Sequence, residues 1–152
     1  MPKIEYKVGA EELLDEVKPL WEKLNEQHAL DSTHFSTLFR KRGFAERKES
    51  LLENKIAVRV EMARETNSGR LVGYCIGTVN QKEVGEIDSI FIDIDFRGMG
   101  IGDVFMRRAL EWMETRAVQS KMLTVAEGNE RVFAFYKRYG FYPRTIVLIH
   151  KP

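Results

Sequence analysis

The sequence has little of several residue types, and each shortage excludes a class of protein. It contains one cysteine, Cys75, so neither an internal disulfide nor a thiolate-rich zinc site can form. Lys and Arg number 24 and Asp and Glu number 23, which argues against a dedicated nucleic-acid binder with a basic face. No apolar run approaches the roughly 20 residues of a membrane span, and residues 1–7 lack the apolar core of a signal peptide. We therefore expect a soluble, cytoplasmic protein without nucleic-acid or membrane partners.

The composition suits one folded domain. Apolar residues make up 43% of the 152 positions and charged residues 31%, a balance that permits a buried core and is unlike a disordered tail. The chain has no linker rich in Pro, Gly or Ser and no internal repeat. We therefore predict a single domain over residues 1–152.

Hydrophobic periodicity predicts a strand and two helical regions in the first third of the chain. A short strand from Ile4 to Val8 precedes helical spacing from Ala10 to His28. Pro19 is expected to bend or divide that helix. A second helical stretch runs from His34 to Glu53, with a break at Gly43.

The second helical stretch carries a dense cluster of charged side chains. They lie in the segments Arg40-Lys41-Arg42 and Glu46-Arg47-Lys48-Glu49. Such a cluster most simply forms a solvated helix face. Phosphate binding is the alternative.

The rest of the chain alternates strands with two further helices. The predicted strands are Ile56 to Met62, Leu71 to Val79, Ile87 to Ile92, Met122 to Ala126 and Thr145 to Ile149. Helical spacing covers Val104 to Met113 and Val132 to Tyr139, and Gly140 caps the second of these helices. This order predicts an α/β (α+β) fold around one mixed sheet.

The segment Arg97-Gly98-Met99-Gly100-Ile101-Gly102 lies between a predicted buried strand and an amphipathic helix. Its alternating glycines allow several backbone N–H groups to turn toward one point, because no Cβ blocks the approach. The following helix adds the free N–H groups of its first turn and the positive end of its dipole. Together these groups predict a pyrophosphate site, with Arg97 as a charged contact at its rim.

Other interpretations of this glycine loop fit less well. A P-loop requires Lys-Ser or Lys-Thr after its last glycine, and neither pair follows here. A dinucleotide-binding loop requires a third glycine where this chain has Asp103, and an acidic residue near Ser120 to Leu123, where none occurs. A simple tight turn does not account for three glycines and an arginine at the start of a strong helix.

Two blocks of the sequence carry a family resemblance. Arg97, Gly100 and Gly102 match the pattern Arg/Gln-x-x-Gly-x-Gly/Ala. Asn129 together with residues 135–141 is similar to the pattern Asn…Tyr-x-x-x-Gly-Phe. The chain thereby resembles the GNAT superfamily of CoA-dependent N-acetyltransferases.

The resemblance extends from about Lys55 to Pro152, and the first 50 residues fit only loosely. Two positions depart from the family pattern. Ile94 stands where a proline is common, and Val132 stands where a small alanine is common. Neither departure removes a reactive group.

The resemblance implies a mixed, mostly antiparallel sheet flanked by helices, with splayed strands that form a CoA cleft. It implies acetyl-CoA as cosubstrate and no metal. A bulge would splay the strand that ends at Ile92, and Asn129 would contact the pantetheine arm, with a plain N-cap as its other role. The implied cofactor-binding residues are Ile90, Phe91, Ile92, Arg97, Gly98, Met99, Gly100, Ile101, Gly102, Asp103, Asn129 and Tyr136.

The resemblance also implies catalytic roles. Tyr136 aligns with the general acid that protonates the departing CoA thiolate, and a core tyrosine is the alternative. Amine attack requires a base or a water relay, because an ordinary amine is protonated at pH 7. Glu86 lies where some family members place a base carboxylate, and Asp88 shares its strand face.

The remaining candidate residues lack the spacing of a site. Cys75 in mid-strand is expected to be a buried small hydrophobe. Three histidines show no metal-ligand spacing and are expected to be structural or solvated: His28, His34 and His150. Three acidic residues could favour cationic amines, although a solvated face is the simpler interpretation: Glu22, Glu26 and Asp31.

The resemblance therefore implies transfer of an acetyl group from acetyl-CoA to a primary amine by direct attack in a ternary complex. A polyamine, an antibiotic, an amino acid and a protein N-terminus all remain open as the acceptor. A homodimer is in keeping with the resemblance. The alternatives are a non-catalytic acyl-CoA-binding or regulatory module and a nucleotide-binding domain of another kind.

Overall fold

The computed structural model describes residues 1–152 and contains five strands and five α-helices. The strands are β1 (Ile4–Gly9), β2 (Lys55–Glu65), β3 (Leu71–Asn80), β4 (Val84–Ile92) and β5 (Ser120–Leu123). The α-helices are α1 (Lys18–Asp31), α2 (Ser36–Lys41), α3 (Phe44–Leu52), α4 (Ile101–Thr115) and α5 (Phe133–Lys137). Short 3-10 helices cover Glu11–Val17, Ile94–Phe96 and Glu130–Val132.

The strands form one mixed sheet in the order β1-β2-β3-β4-β5. Strands β1 to β4 pair antiparallel with their neighbours, and β5 pairs with β4 in parallel. A parallel neighbour requires a crossover connection, which α4 provides. The predicted mixed, mostly antiparallel sheet with flanking helices is confirmed.

Proline and glycine divide the N-terminal helical region where the sequence predicted. The first 3-10 helix ends at Val17, and Pro19 occupies the second position of α1, where its missing N–H leaves no group unsatisfied. Gly43 is the N-cap of α3 and has a ψ of 158°, so the chain leaves the helical conformation there. The amide of Asn25 in α1 donates to the carbonyl of Phe39 in α2 at 2.7 Å. This bond holds α2 against α1.

The sheet separates two hydrophobic cores. One lies on the side of α1 and α3 and contains Leu14 and Tyr74. The other lies on the side of α4 and contains Cys75 and Phe105. Tyr74 and Cys75 are consecutive residues of β3 that point to opposite faces, as the period of a strand requires. Both faces of β3 are therefore buried, in agreement with its apolar sequence.

The last predicted strand, Thr145 to Ile149, is wrong. The segment joins no sheet, and no backbone hydrogen bond connects residues 142–152 to the rest of the chain. Its apolar side chains are between 64% and 88% exposed. Branched residues favour a strand only where a neighbouring strand supplies hydrogen bonds, and none does so here.

The last helical region is shorter than predicted. It consists of the 3-10 helix from Glu130 and the five-residue α5, which ends at Lys137. Gly140 then takes a φ of 87°, and the N–H of Phe141 donates back to the carbonyl of Tyr136 at 3.2 Å. The helix stop at Gly140 is therefore confirmed. None of the helices combines the length and apolar character needed to cross a membrane.

Candidate functional site

Strands β4 and β5 separate halfway along β4. Their pairing ends at Ile87 and Leu123, and β4 continues alone to Ile92. At the same point β4 carries a bulge, where Ile87 and Ser89 face successive residues of β3 and Asp88 has no partner. The bulge and the lost pairing open a cleft between the strands, as the family resemblance implied.

Beyond the bulge, β4 has free hydrogen-bonding groups on the cleft side. The N–H of Asp93 donates to the carbonyl of Val72 in β3 at 2.8 Å. Hydrogen-bonded pairs alternate along antiparallel strands, so Phe91 also bonds to β3, whereas Ile90 and Ile92 direct their backbone groups away from it. Strand β5 does not pair with this part of β4. The backbone of Ile90 and Ile92 therefore faces the cleft, while the Phe91 side chain is buried in the core.

The glycine loop has the backbone conformation that its sequence predicted. Gly98 and Gly100 have φ values of 79° and 83°, in the left-handed region that other residues rarely adopt. The first backbone hydrogen bond of α4 runs from the N–H of Val104 to the carbonyl of Gly100 at 3.1 Å. The N–H groups of residues 101–103 therefore have no backbone partner and point out of the helix end. This arrangement can bind a phosphate group.

Apolar contacts fix the loop to the core beneath α4. Ile101 is buried, and Met99 packs partly buried against the same cluster. A Cβ at Gly102 would lie 3.3 Å from the ring of Phe135, closer than most side-chain contacts. The glycine thus lets α5 approach the start of α4.

Two charged residues flank the loop. Arg97 donates from Nε to the carbonyl of Ile92 at 2.8 Å, and its guanidinium lies over the Phe91 ring at 5.5 Å. Arg97 is therefore held at the rim where β4 meets the loop. Asp103 accepts hydrogen bonds from Tyr139 at 2.5 Å and from Arg107 at 2.9 Å, and both bonds lower the pKa of its carboxyl. These partners compensate a negative charge beside the predicted pyrophosphate site.

A cavity of about 250 Å³ lies on the open side of the bulge. Its walls come from α1, the α2–α3 region, β4 and the segment after β5. The polar side chains with titratable, guanidinium or amide groups in these walls include His28, Arg42, Arg47, Asp88, Asn129 and Tyr136.

The loop after β5 closes the cavity against the end of α1. Glu127 accepts hydrogen bonds from the Ser32 hydroxyl at 2.5 Å and from the backbone N–H of His34 at 2.9 Å. Next to it, Gly128 has a φ of 92°, and a Cβ there would lie 2.2 Å from the carbonyl oxygen of Asp31. Only glycine permits this close approach of the two backbones.

Tyr136 and Asn129 face the cavity from the segment after β5. Burial raises the pKa of the Tyr136 phenol to about 12, so the phenol keeps its proton at neutral pH. Its ring packs edge-on against Phe135 and Phe141. Asn129 occupies the N-cap position of a 3-10 helix without a capping hydrogen bond, which leaves its amide available to a ligand.

The two carboxylates of β4 have different surroundings. Asp88 lines the cavity and accepts a hydrogen bond from the Thr78 hydroxyl at 2.5 Å. Burial raises the pKa of Asp88 to about 7; the Thr78 bond opposes this rise, and the charge of Glu86 adds to it. Glu86 lies opposite Met122, where β4 still pairs with β5, and does not line the cavity. A base role stays a prediction for both carboxylates, and of the two only Asp88 lines the cavity.

The charged cluster predicted as a solvated face is only partly solvated. Arg40, Lys41 and Arg42 are exposed and Arg47 is half-buried, and both Arg42 and Arg47 line the cavity. The break at Gly43 sets α3 at an angle to α2, and Arg47 on α3 then reaches β4. Helices of six and nine residues are too short to show this from periodicity.

His28 also lines the cavity, a position that its spacing in the sequence did not indicate. Its ring packs against Phe39, with centroids 5.5 Å apart. Its Nδ1 atom is buried without a hydrogen-bond partner, and burial lowers the pKa of the imidazole. A neutral ring with one unused nitrogen is therefore present in the wall.

The other candidate residues lie outside the cavity. Cys75 is fully buried, and burial raises the pKa of its thiol to about 12, which agrees with a structural role. Glu26 pairs with Arg40 at 3.9 Å, and Asp31 pairs with Arg131 at 3.0 Å. Three further residues are exposed: Glu22, His34 and His150. No group of three or more His, Cys, Asp or Glu side chains is placed to hold a metal.

A family comparison identifies this arrangement. The sequence model of the acetyltransferase (GNAT) family matches residues 17–141, which include the glycine loop, the bulged strand and Tyr136. The chain belongs to the GNAT family. The predicted family and fold class are thereby confirmed for this GNAT protein.

Relatives and solved structures agree with this assignment. An uncharacterized N-acetyltransferase of Methanocaldococcus jannaschii is 36% identical over 86 residues, which cover 53% of this chain and 38% of the relative. The GNAT chain thus spans well under half the length of that relative. The ribosomal-protein-alanine N-acetyltransferase of Brucella melitensis has the same fold, with a TM-score of 0.64, 19% identity and coverage of 97% and 99%. An aminoglycoside N-acetyltransferase solved in complex with CoA shares the fold with a TM-score of 0.63, 14% identity and coverage of 100% and 96%.

Proposed function

We propose that this GNAT protein is an acetyl-CoA-dependent N-acetyltransferase that acts as one domain over residues 1–152. One observation carries the proposal: the glycine loop and the cavity are joined by the unpaired edge of β4. A ligand that binds phosphate at the loop and extends along this edge reaches Asp88 and Tyr136 at its far end. That length and polarity suit the CoA arm with its thioester.

The chain offers binding groups along the whole path. The N–H groups of residues 101–103 would hold the pyrophosphate, with Arg97 at the rim. The backbone of Ile90 and Ile92 would pair with the amides of the pantetheine arm, and the Asn129 amide faces the same space. A β4 N–H directed at the thioester carbonyl would stabilise the negative charge that develops on its oxygen.

We assign the general base to Asp88. Its pKa of about 7 allows the carboxylate to accept a proton from an ammonium group near neutral pH. The deprotonated amine then forms a bond to the acetyl carbon, and the bond from that carbon to sulfur breaks. Asp88 is favoured over Glu86 because it lines the cavity and Glu86 does not.

We assign the general acid to Tyr136. Its phenol is protonated at neutral pH and lies in the cavity wall across from β4. It would give its proton to the departing thiolate, which leaves as the free thiol. The extra proton on the attacking nitrogen would then be released and restore the phenol. Burial of the ring between Phe135 and Phe141 fixes the direction of this donor.

The test is release of free thiol from acetyl-CoA in the presence of a panel of primary amines. Amine-dependent release is expected. A protein that binds CoA and releases no thiol with any amine would instead be the non-catalytic acyl-CoA-binding module. A thermal-shift comparison separates a different nucleotide-binding domain, because a ligand at about 100 times its Kd adds about 2.7 kcal/mol to the unfolding free energy. CoA is expected to stabilise the fold more than NAD or ATP.

We further propose a homodimer, which the exposed segment from Ile146 to Ile149 supports. Apolar side chains with unpaired backbone groups are stabilised when they pair with a strand edge of another molecule. Strand β5 offers such an edge. Light scattering should then give twice the chain mass of 17.7 kDa. Ile146→Lys with Leu148→Lys should give the monomer mass, and a monomeric unmodified protein would refute the dimer.

A further inference from the structure

Two arginine side chains line the cavity without a direct salt bridge to a carboxylate. The guanidinium of Arg47 donates to the backbone carbonyl of Asp88 at 3.2 Å. The guanidinium of Arg42 lies 5.7 Å from the centre of the Phe39 ring. Neither forms an ion pair, although Arg40 beside them pairs with a carboxylate. Burial lowers the pKa of Arg42 most, the charge of Arg47 lowers it further, and the charge of Glu46 opposes both, so the two cations lie near each other.

The surroundings offset these charges only in part: Glu46 acts on Arg42 and Asp88 acts on Arg47, in neither case through a salt bridge. The carboxyl group in the cavity wall is that of Asp88, which binds Thr78. The acidic residues of α1, Glu22, Glu26 and Asp31, do not line the cavity. His28 adds an uncharged ring with an unused buried nitrogen. The acceptor side of the site is therefore short of negative charge.

We propose that the acceptor amine also carries an anionic group, a carboxylate or a phosphate, which binds Arg42 and Arg47. This inference rests on the proposed acetyltransferase activity. Guanidinium groups bind either anion through paired N–H donors, and burial strengthens such bonds. The pyrophosphate of CoA does not meet this need, because no residue of the glycine loop lines the cavity.

The geometry also places the anion near the reacting amine. Arg47 contacts the backbone of Asp88, and the Asp88 side chain is the proposed base. An acceptor held by both groups has its amine and its anion only a few bonds apart. Amino acids, phosphorylated amino alcohols and peptides with an acidic residue near the N-terminus satisfy this condition. Polyamines and aminoglycosides, which carry several cations, do not.

Matched pairs of acceptors test the proposal. β-Alanine is compared with β-alaninamide, and phosphoethanolamine with ethanolamine. The peptides Ala-Asp-Ala and Ala-Lys-Ala form the third pair. We expect kcat/KM to be higher by about tenfold or more for the anionic member of at least one pair, as charged hydrogen bonds require. The preferred pair distinguishes carboxylate, phosphate and peptide sources.

Variants link the preference to the two arginines. Arg42→Gln and Arg47→Gln should raise KM for the anionic acceptor about tenfold and leave KM for its neutral partner within twofold. Arg47→Glu should reverse the preference. Arg40→Gln is the matched control, because that side chain pairs with Glu26 outside the cavity. Far-ultraviolet circular dichroism of each variant confirms that it is folded.

Each outcome decides the proposal. If kcat/KM for the neutral or cationic amines equals that for the anionic members, the anion proposal is wrong and the acetyltransferase activity is retained. An anion preference that survives both glutamine variants also overturns it. Absence of thiol release with every acceptor, from protein that binds CoA, overturns the activity and the inference together.

Discussion

Replacing Asp88 with asparagine tests the proposed base directly. The amide keeps the size of the side chain and can still accept the hydrogen bond from Thr78, so the bulge of β4 is retained. It cannot accept a proton from the amine. Loss of a general base lowers kcat by about 100-fold or more. The rise of rate with pH that is centred near 7, the pKa of Asp88, should disappear. A rise near the pKa of the amine itself should remain.

The same substitution changes how stability depends on pH. The pKa of Asp88 is about 7 in the folded protein against an ordinary value of 3.8, because burial disfavours the charged form. The folded state thus binds more protons than the unfolded state between these values, and the unfolding free energy falls as pH rises from about 4 to about 7. The pKa difference corresponds to a loss on the order of 4 kcal/mol. Asp88→Asn should remove this loss and be more stable than the parent at pH 8.

The assay pairs a pH–rate profile with urea unfolding at pH 4 and pH 8. Glu86→Gln is the matched control, since Glu86 lies two residues away on β4 but does not line the cavity. Because the charge of Glu86 raises the pKa of Asp88, this variant should shift the pH–rate profile to lower pH and keep its amplitude. Arg47, Lys55 and Glu86 are the charged groups that act on Asp88, and they are unchanged by Asp88→Asn. If Glu86→Gln abolishes turnover while Asp88→Asn keeps it within tenfold, the assignment of the base is wrong.

Three further substitutions test other parts of the site. Tyr136→Phe should lower kcat about 100-fold, most strongly at high pH, with CoA affinity by calorimetry unchanged; Tyr142→Phe, at an exposed ring, is its control, and full activity of Tyr136→Phe would exclude the acid role. Gly128→Ala should lower the unfolding free energy by about 3 kcal/mol, because the added Cβ would lie 2.2 Å from a backbone oxygen. Gly43→Ala is the control, because a Cβ there meets open space. Equal unfolding free energies of the two variants would contradict the packing at Gly128. Gly100→Ala should weaken CoA binding about fivefold, since a side chain disfavours the left-handed conformation by about 1 kcal/mol; unchanged affinity would show that the loop does not hold the ligand.

Local sequence determined most of the elements and the conformation of the glycine loop. The alternation of apolar residues predicts strands within a few positions. In the same way, Pro19 in α1 and Gly43 before α3 set the helix boundaries locally. The positive φ angles of Gly98 and Gly100 are also a local property, because only glycine adopts them without strain. The segment from Thr145 to Ile149 shows the limit of such reasoning. Its residues favour a strand, but pairing depends on a partner edge elsewhere.

Tertiary structure decided which charged residues meet in the cavity. Asp88 and Glu86 are both carboxylates on the same predicted strand, so the sequence does not distinguish them. The bulge at Asp88 and the end of β5 pairing at Ile87 give the two side chains different surroundings. Arg47 belongs to a segment predicted as a solvated helix face, and α3, which begins after Gly43, carries it to a contact with β4. Arg42 lines the same cavity from the end of α2. The desolvation of a side chain and its distance from other charges depend on how distant segments pack. A local sequence pattern therefore does not predict them. The sequence by itself therefore determined the glycine loop and the family, and only the packing of α1, α3 and β4 decided which charged side chains line the cavity.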